Sequence, residues 1–192
     1  MDGADKTHLC WDYDSGWSVF YYDRYKEDLK MKRILVVGLL IFGVLFFISR
    51  ISASSKDVLG MPAPDFKLQD LNYNTINLQE FKDKEQPVLI FFWTTWCPFC
   101  QREIRVLRDS YGSLVKAGVE VLAIDVGESY NKVTSLVGRY QLPFRVLLDK
   151  DSHTAETYSI RGVPTYILVN KRGEIVFWDN EFPSGYKELL AQ

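Results

Sequence analysis

Two cysteines lie where a buried strand is predicted to end and a helix to begin, and this junction constrains the fold most strongly. An uninterrupted apolar run, Val88–Trp93, is typical of a strand that is buried on both faces of a sheet. A helix is predicted for Pro98–Lys116, where apolar residues recur with helical spacing. Cys97 then lies at the N-terminus of the helix, and Cys100 lies one turn inside it.

Strands and helices alternate through the carboxy-terminal part of the chain, a pattern that predicts an α/β fold. A β-hairpin is expected around residues 72–74, ahead of the strand Val88–Trp93. The elements expected after the helix are strands at 119–126, 144–148, 165–169 and 175–178, and helices at 129–140, 154–158 and 186–191. We therefore expect a central mixed sheet with helices on both faces.

Cys97 and Cys100 could bind a metal, form a structural disulfide, fill the core, or exchange electrons. A zinc site takes about four ligands, and His153 is the only further histidine or cysteine in this part of the chain, so we expect no metal. A structural disulfide stabilises mainly by closing a long loop, and this loop is very short. Two adjacent core thiols would form a disulfide in an oxidising compartment. Thiol–disulfide exchange is therefore the favoured use.

The positions of the two cysteines predict different roles in such an exchange. Free N–H groups and the positive end of the helix dipole favour a thiolate at Cys97, which is the expected nucleophile. Cys100 is better shielded and is expected to resolve the mixed disulfide that Cys97 forms with a substrate. Pro98 suits the first helical position, where its missing N–H has no cost. Phe99 is expected to be exposed toward a partner.

Glu103 lies three residues after Cys100 and therefore shares its helix face. A carboxylate beside the cysteine pair would disfavour thiolate formation or transfer protons. The equally weighted alternative is a solvated residue among Arg102, Arg105 and Arg108.

An uncharged apolar run at residues 34–48 precedes this domain. A membrane-spanning helix takes about 20 apolar residues and a signal-peptide core about 7–15, so length alone leaves both interpretations open. Basic residues are more frequent before the run than after it, which predicts a cytoplasmic amino terminus. We favour an uncleaved anchor at residues 31–50 over a cleaved signal or a buried core helix, because no clear cleavage pattern follows and the run has no polar face.

Residues 1–30 show no steady helical or strand period. Met31, Lys32 and Arg33 precede the apolar run in the way that an anchor or signal segment begins. Translation could therefore begin at Met31, or residues 1–30 could form a short cytoplasmic tail. We expect a linker at residues 51–57 and a folded domain at 58–192. The formal net charge of −2 gives no indication of nucleic-acid binding.

Several motifs together resemble those of one family. WCPFC follows the apolar strand, GVPT follows far downstream, MPAPDFKLQD opens the domain, and GVEVLAIDVGES covers the second central strand. Over about residues 57–192 this set resembles the TlpA/ResA group of membrane-anchored, extracytoplasmic thiol–disulfide oxidoreductases. The resemblance implies a thioredoxin fold with an N-terminal β-hairpin and a central αβ insertion near residues 129–148, preceded by one transmembrane helix.

The resemblance also implies roles for individual residues. Cys97 and Cys100 match the redox-active pair of the family. Pro164 matches its cis-proline, and Val163 matches the preceding residue, whose backbone pairs with a substrate peptide. Glu103 matches an active-site glutamate of ResA-like members, which favours an acid–base role over the solvated alternative.

Trp96 and Phe99 flank Cys97 and complete the expected substrate contacts. The group commonly reduces disulfides in apocytochrome c, so that haem can be attached, and its electrons come from a membrane donor of the CcdA or DsbD type. The resemblance thus implies a protein-disulfide reductase that needs no cofactor. It also implies a single-pass protein of a bacterial cell membrane, with the domain in the periplasm or on the outer face.

The sequence departs from related patterns at two places. Cytoplasmic thioredoxins have a buried aspartate where this chain has Phe91, so that proton relay is missing. The pair Pro98-Phe99 between the cysteines is closer to the glutaredoxin pattern, which leaves the reduction potential open.

Other functions stay open beside a reductase in cytochrome c maturation. General disulfide repair or disulfide formation would use the same cysteine pair. Residues 63–66, and Thr94 with Cys97, resemble motifs of peroxiredoxins, but Ile90 stands where a peroxiredoxin has proline. A non-catalytic binding module would not need an intact cysteine pair.

Overall fold

A computed structural model describes residues 58–191, which form a seven-stranded sheet covered by helices. The strands are β1 (Lys67–Asp70), β2 (Thr75–Asn77), β3 (Val88–Trp93), β4 (Glu120–Val126), β5 (Arg145–Asp149), β6 (Thr165–Val169) and β7 (Ile175–Asp179). They lie in the order β2-β1-β5-β4-β3-β6-β7. The pairs β3–β4 and β4–β5 are parallel and the other four pairs are antiparallel, so the sheet is mixed, as predicted.

Helices cover both faces of this sheet. They are α1 (Gln79–Asp83), α2 (Pro98–Lys116), α3 (Tyr130–Tyr140), α4 (His153–Thr157) and α5 (Tyr186–Leu190). Residues of α2, α3 and α5 pack together on one face, and α1 and α4 pack on the other. The predicted bounds of α2 are confirmed, and the other predicted helices differ by one residue at one or both ends. Helix α1, which has little more than one turn, was not predicted.

The central strand β3 is buried along its whole length, which explains its uninterrupted apolar sequence. Leu89, Phe91 and Trp93 face the layer of α2, whereas the alternate residues face the layer of α1 and α4. Fully burying one such side chain contributes about 1.5–3 kcal/mol. β3 therefore gives α2 a rigid base, and the cysteine motif follows directly from the end of that strand.

The hairpin and the insertion that the sequence predicted are both present. β1 and β2 pair around a turn in which the carboxylate of Asp70 accepts the N–H groups of Asn72 and Asn74, at 2.8 and 2.9 Å. Helix α3 and strand β5 form the expected insertion after β4. The observed topology is that of a thioredoxin-like α/β domain.

The expected tail at 1–30, anchor at 31–50 and linker at 51–57 lie outside the described residues. Within residues 58–191, no helix combines the length and the apolar character needed to cross a bilayer.

Candidate redox-active site

The cysteine motif forms the start of helix α2. Cys97 is the N-cap residue, with the extended backbone angles φ −81° and ψ 114°, and Pro98 occupies the first turn. The Sγ atom of Cys97 accepts the backbone N–H of Cys100 at 3.2 Å, so the thiol caps the helix that contains its partner. Both thiols are free. The predicted placement of the two cysteines is confirmed.

The two thiols differ in their surroundings. Cys97 is 4% exposed, and Cys100 has no exposed surface. Burial, followed by the hydrogen bond and the charge that Cys97 provides, raises the pKa of the Cys100 thiol well above its usual value. Cys100 therefore keeps its proton at neutral pH, and it can act as a nucleophile only when a base removes that proton.

The segment around Pro164 lies against the nucleophile, although it is far away in sequence. The Val163–Pro164 peptide bond is cis. The thiol of Cys97 donates a hydrogen bond to the carbonyl oxygen of Val163 at 3.6 Å. The side-chain amide of Asn180 donates to the carbonyl oxygen of Pro164. Sequence analysis assigned substrate contacts to Val163 and Pro164, and these roles stay predictions.

Glu103 is buried rather than solvated. Only 5% of the residue is exposed, and its carboxylate lies 3.4 Å from Nε of Arg102, a residue that is itself mostly exposed. The hydroxyl of Tyr166 donates to the backbone carbonyl of Glu103 at 3.3 Å. Glu103 thus occupies the same buried helix face as Cys100, where a carboxylate can accept or return a proton.

Tyr166 was missed by the sequence analysis. Its ring is fully buried and stacks on Phe91, with 4.5 Å between the ring centroids. Burial, followed by the charges of Glu103 and Cys100, raises the pKa of the Tyr166 hydroxyl well above its ordinary range. A stacked aromatic pair thus occupies the position where cytoplasmic thioredoxins have an aspartate, and the nearby phenol remains protonated.

Two exposed aromatic side chains flank the buried nucleophile. Trp96 is 70% exposed and Phe99 is 63% exposed. The guanidinium carbon of Arg102 lies 5.8 Å from the centre of the Phe99 ring, close enough for a cation–π interaction. Large exposed apolar rings beside a reactive group are typical of a protein-binding surface. The expected exposure of Phe99 is confirmed, and substrate contact by either ring stays a prediction.

Side chains from two neighbouring elements fix the backbone just before Cys97. The carboxylate of Glu128, in the loop after β4, accepts both the N–H and the hydroxyl of Thr95. The side chain of Gln101, in α2, donates to the carbonyl oxygen of Thr95 at 2.9 Å. Glu128 and Gln101 were not predicted as site residues. The buried acid Asp125, which precedes Glu128, was not predicted either, although an acid between apolar residues inside a strand was a visible signal.

The arrangement is suited to thiol exchange. A thiol that caps the N-terminus of a helix lies beside the backbone carbonyl of Val163, and a shielded second thiol lies one turn away, on the helix face that also carries the buried Glu103. Within residues 58–191, no three histidine, cysteine or acidic side chains are placed to hold a metal ion.

Comparisons with known proteins likewise indicate a thiol–disulfide oxidoreductase. The family model described as the AhpC/TSA family matches residues 59–178. The chain is 35% identical over 154 residues to the thiol–disulfide oxidoreductase ResA of Halalkalibacterium halodurans, an alignment that covers 80% of this chain and 86% of that protein. It is 32% identical over 143 residues to ResA of Bacillus subtilis, with 74% and 79% covered.

A solved structure supports the fold assignment. The thioredoxin domain of a thiol–disulfide oxidoreductase from Bacteroides vulgatus superposes with a TM-score of 0.63, covering 69% of this chain and 97% of that domain. The sequence identity is 24%, so this similarity concerns the fold alone.

Proposed function

The chain belongs to the AhpC/TSA family and to the ResA thiol–disulfide oxidoreductases, and from this premise we propose that it reduces disulfide bonds in apocytochrome c. The observation that carries the proposal is the environment of Cys97. Its sulfur contacts the backbone carbonyl of Val163, which we propose pairs with an extended substrate peptide, and two exposed aromatic rings border it. A disulfide-containing peptide chain fits such a site better than a small molecule does.

The reaction consists of two thiol–disulfide exchanges. The thiolate of Cys97 attacks one sulfur of the substrate disulfide, and the other substrate sulfur leaves as a thiolate that takes up a proton. Cys100 then gives up its proton and attacks the sulfur of Cys97, which releases the second substrate thiol. The substrate gains two electrons and two protons, and the protein is left with a Cys97–Cys100 disulfide.

Glu103 fits the second exchange. Because the raised pKa of Cys100 keeps that thiol protonated, its attack requires a nearby proton acceptor. Glu103 is the buried carboxylate one turn further along the same helix face. We assign it the role of accepting the proton of Cys100.

Disulfide formation and general disulfide repair use the same cysteines and are the alternatives to this proposal. A reduction potential much more oxidising than about −270 mV, the value for thioredoxin, would favour disulfide formation.

We place this reaction outside the cytoplasm, at a bacterial cell membrane. The proposal rests on the uncharged run at residues 34–48 and on the basic residues before it. A dithiol used in that location must be regenerated, and we propose a membrane donor of the CcdA or DsbD type as the source of electrons.

One experiment tests the substrate. The Cys100→Ala variant is expressed in the host, where it cannot resolve a mixed disulfide, and the proteins held by Cys97 are released with reductant and identified. The variant with both Cys97→Ala and Cys100→Ala is the control, and it should hold none. We expect apocytochrome c. Recovery of unrelated secreted proteins instead would replace this proposal with general disulfide repair.

A further inference from the structure

Asp125 is a buried carboxyl group that the exchange mechanism does not use. It has no exposed surface and lies near the end of β4, in register with Trp93 of β3 and Leu148 of β5. Its side chain projects to the face of the sheet that carries α2, because Trp93 and Leu148 contribute to that layer. Asp125 therefore lies in the layer beneath the cysteine motif.

The surroundings of Asp125 offer little compensation for a charge. Neither carboxylate oxygen has a hydrogen-bond partner of ordinary geometry, and the same holds for Nε1 of Trp93 and Oγ1 of Thr94. No lysine or arginine among residues 58–191 lies within ion-pair distance of Asp125. An isolated charge in such a place is strongly disfavoured, so the neutral acid is the preferred form.

Two other acidic residues disfavour the ionised form of Asp125. Asp149, at the end of β5, accepts the N–H groups of Thr154 and Ala155 in the first turn of α4, at 3.1 and 2.8 Å. Glu128 follows in the loop after β4, where Gly127 turns the chain with a φ of +74°. Glu128 accepts two hydrogen bonds from Thr95, which tie its carboxylate to the segment just before Cys97.

We propose that Asp125 and Glu128 form one positioning pair, in which Asp125 keeps its proton and the carboxylate of Glu128 fixes Thr95 and the segment that leads to Cys97. Two neighbouring carboxyl groups in a buried place repel each other when both are ionised, so the state with one proton on the pair is lower in energy. The pair thus joins β4 to the backbone two residues before the nucleophile.

The pair also makes the site sensitive to pH. Burial, followed by the influence of the neighbouring Glu128, raises the pKa of Asp125 to about 8. Above that pH Asp125 becomes charged, repels Glu128 and weakens its hold on Thr95. This inference rests on the thiol chemistry of Cys97 and is independent of which protein is the substrate.

The test measures how fast iodoacetamide modifies Cys97 in the reduced full-length chain between pH 5.5 and 9.5. We expect a second inflection near pH 8 in the wild type, in addition to the ionisation of Cys97 itself. Asp125→Asn should lose this inflection, because an amide does not titrate. Asp109→Asn, which makes the same charge change at an exposed position of α2, should retain it.

Glu128→Gln provides a second, independent test, which also serves if Asp125→Asn does not fold. Removing the neighbouring charge should shift the inflection to lower pH, and hydrogen–deuterium exchange should show a loss of protection in the segment around Thr95 at every pH. A folded Asp125→Asn variant that retains the inflection would overturn the proposal, as would a Glu128→Gln variant with unchanged inflection and protection. The trapping experiment that identifies the substrate is unaffected by either result.

Discussion

The thiol of Cys97 donates a hydrogen bond to the backbone carbonyl of Val163 at 3.6 Å, between residues 66 positions apart in sequence. This contact joins the start of α2 to the segment that leads into β6. It places the attacking sulfur beside the backbone to which a substrate peptide is proposed to bind. The chemistry and the recognition of substrate are therefore combined at one point of the fold.

Replacing Glu103 should slow the second exchange while the first stays nearly unchanged. Glu103→Gln retains the shape of the buried side chain but removes its ability to accept a proton from Cys100. Because general base catalysis contributes about 10²–10⁴-fold, we expect resolution of the mixed disulfide to slow by about tenfold or more. Rapid-quench measurement of the mixed disulfide checks this, with the exposed Glu156→Gln as control. Equal resolution rates in both variants would remove Glu103 from the mechanism.

The exposed aromatic residues should affect binding rather than chemistry. Phe99→Ala and Trp96→Ala should each raise KM for a disulfide-bonded protein by about fivefold or more, since a contact residue of this kind contributes over about 1 kcal/mol. Both residues are mostly exposed, so unfolding free energies should change by less than about 0.5 kcal/mol. Val115→Ala, at an exposed position near the other end of α2, is the control. A loss in kcat with unchanged KM would be inconsistent with a docking role.

The stability of the wild type should fall as pH rises from about 4 to about 8. The pKa of Asp125 is near 3.8 when the group is unperturbed, and burial and Glu128 raise it to about 8 in the folded protein. Between these values the unfolded chain releases the proton and the folded chain retains it, so folding weakens by up to about 1.4 kcal/mol per pH unit. Below the lower value both states are protonated and there is no cost.

Asp125→Asn should therefore show a shallower decline of stability across this range than the wild type. Urea unfolding at pH 5 and pH 7.5 measures the difference, with Asp109→Asn as the matched exposed control. Parallel stability curves for the wild type and Asp125→Asn would show that Asp125 does not keep its proton in the folded protein.

Neighbouring residues of α2 should differ sharply in their contribution to the core. Leu107 is fully buried, whereas the neighbouring Val106 is exposed. Leu107→Ala should cost about 2–5 kcal/mol of unfolding free energy, because it leaves a cavity beneath the helix. Val106→Ala should cost far less, and chemical denaturation measures both. Similar losses in the two variants would contradict the observed orientation of α2.

The parts of the structure that sequence could predict depend on local patterns. Helix α2 was predicted with its observed bounds because its apolar spacing, Pro98 at its start and the strand before it all lie in one stretch. Helix α1 was missed because it is very short and because its N-cap residue, Leu78, provides no side-chain cap. Local signals of this kind are too weak to predict a single turn of helix.

The parts of the site that sequence could not predict depend on strand register. Tyr166 meets Phe91, and Asp125 lies beside Trp93, only because β3 pairs with β6 and with β4 in a particular alignment. Glu128 reaches Thr95 for the same reason. No spacing within a motif indicates these contacts, although the acid within the apolar strand β4 marked Asp125 as unusual.

The relative reactivity of the two thiols tests the account most directly. The reduced full-length protein is treated with a limiting amount of iodoacetamide at pH 7, and the label on each cysteine is quantified by mass spectrometry before and after unfolding. The account predicts that Cys97 is modified first and that Cys100, which is fully buried and protonated, reacts only after unfolding. Modification of Cys100 in the folded protein at a rate equal to that of Cys97 would contradict it.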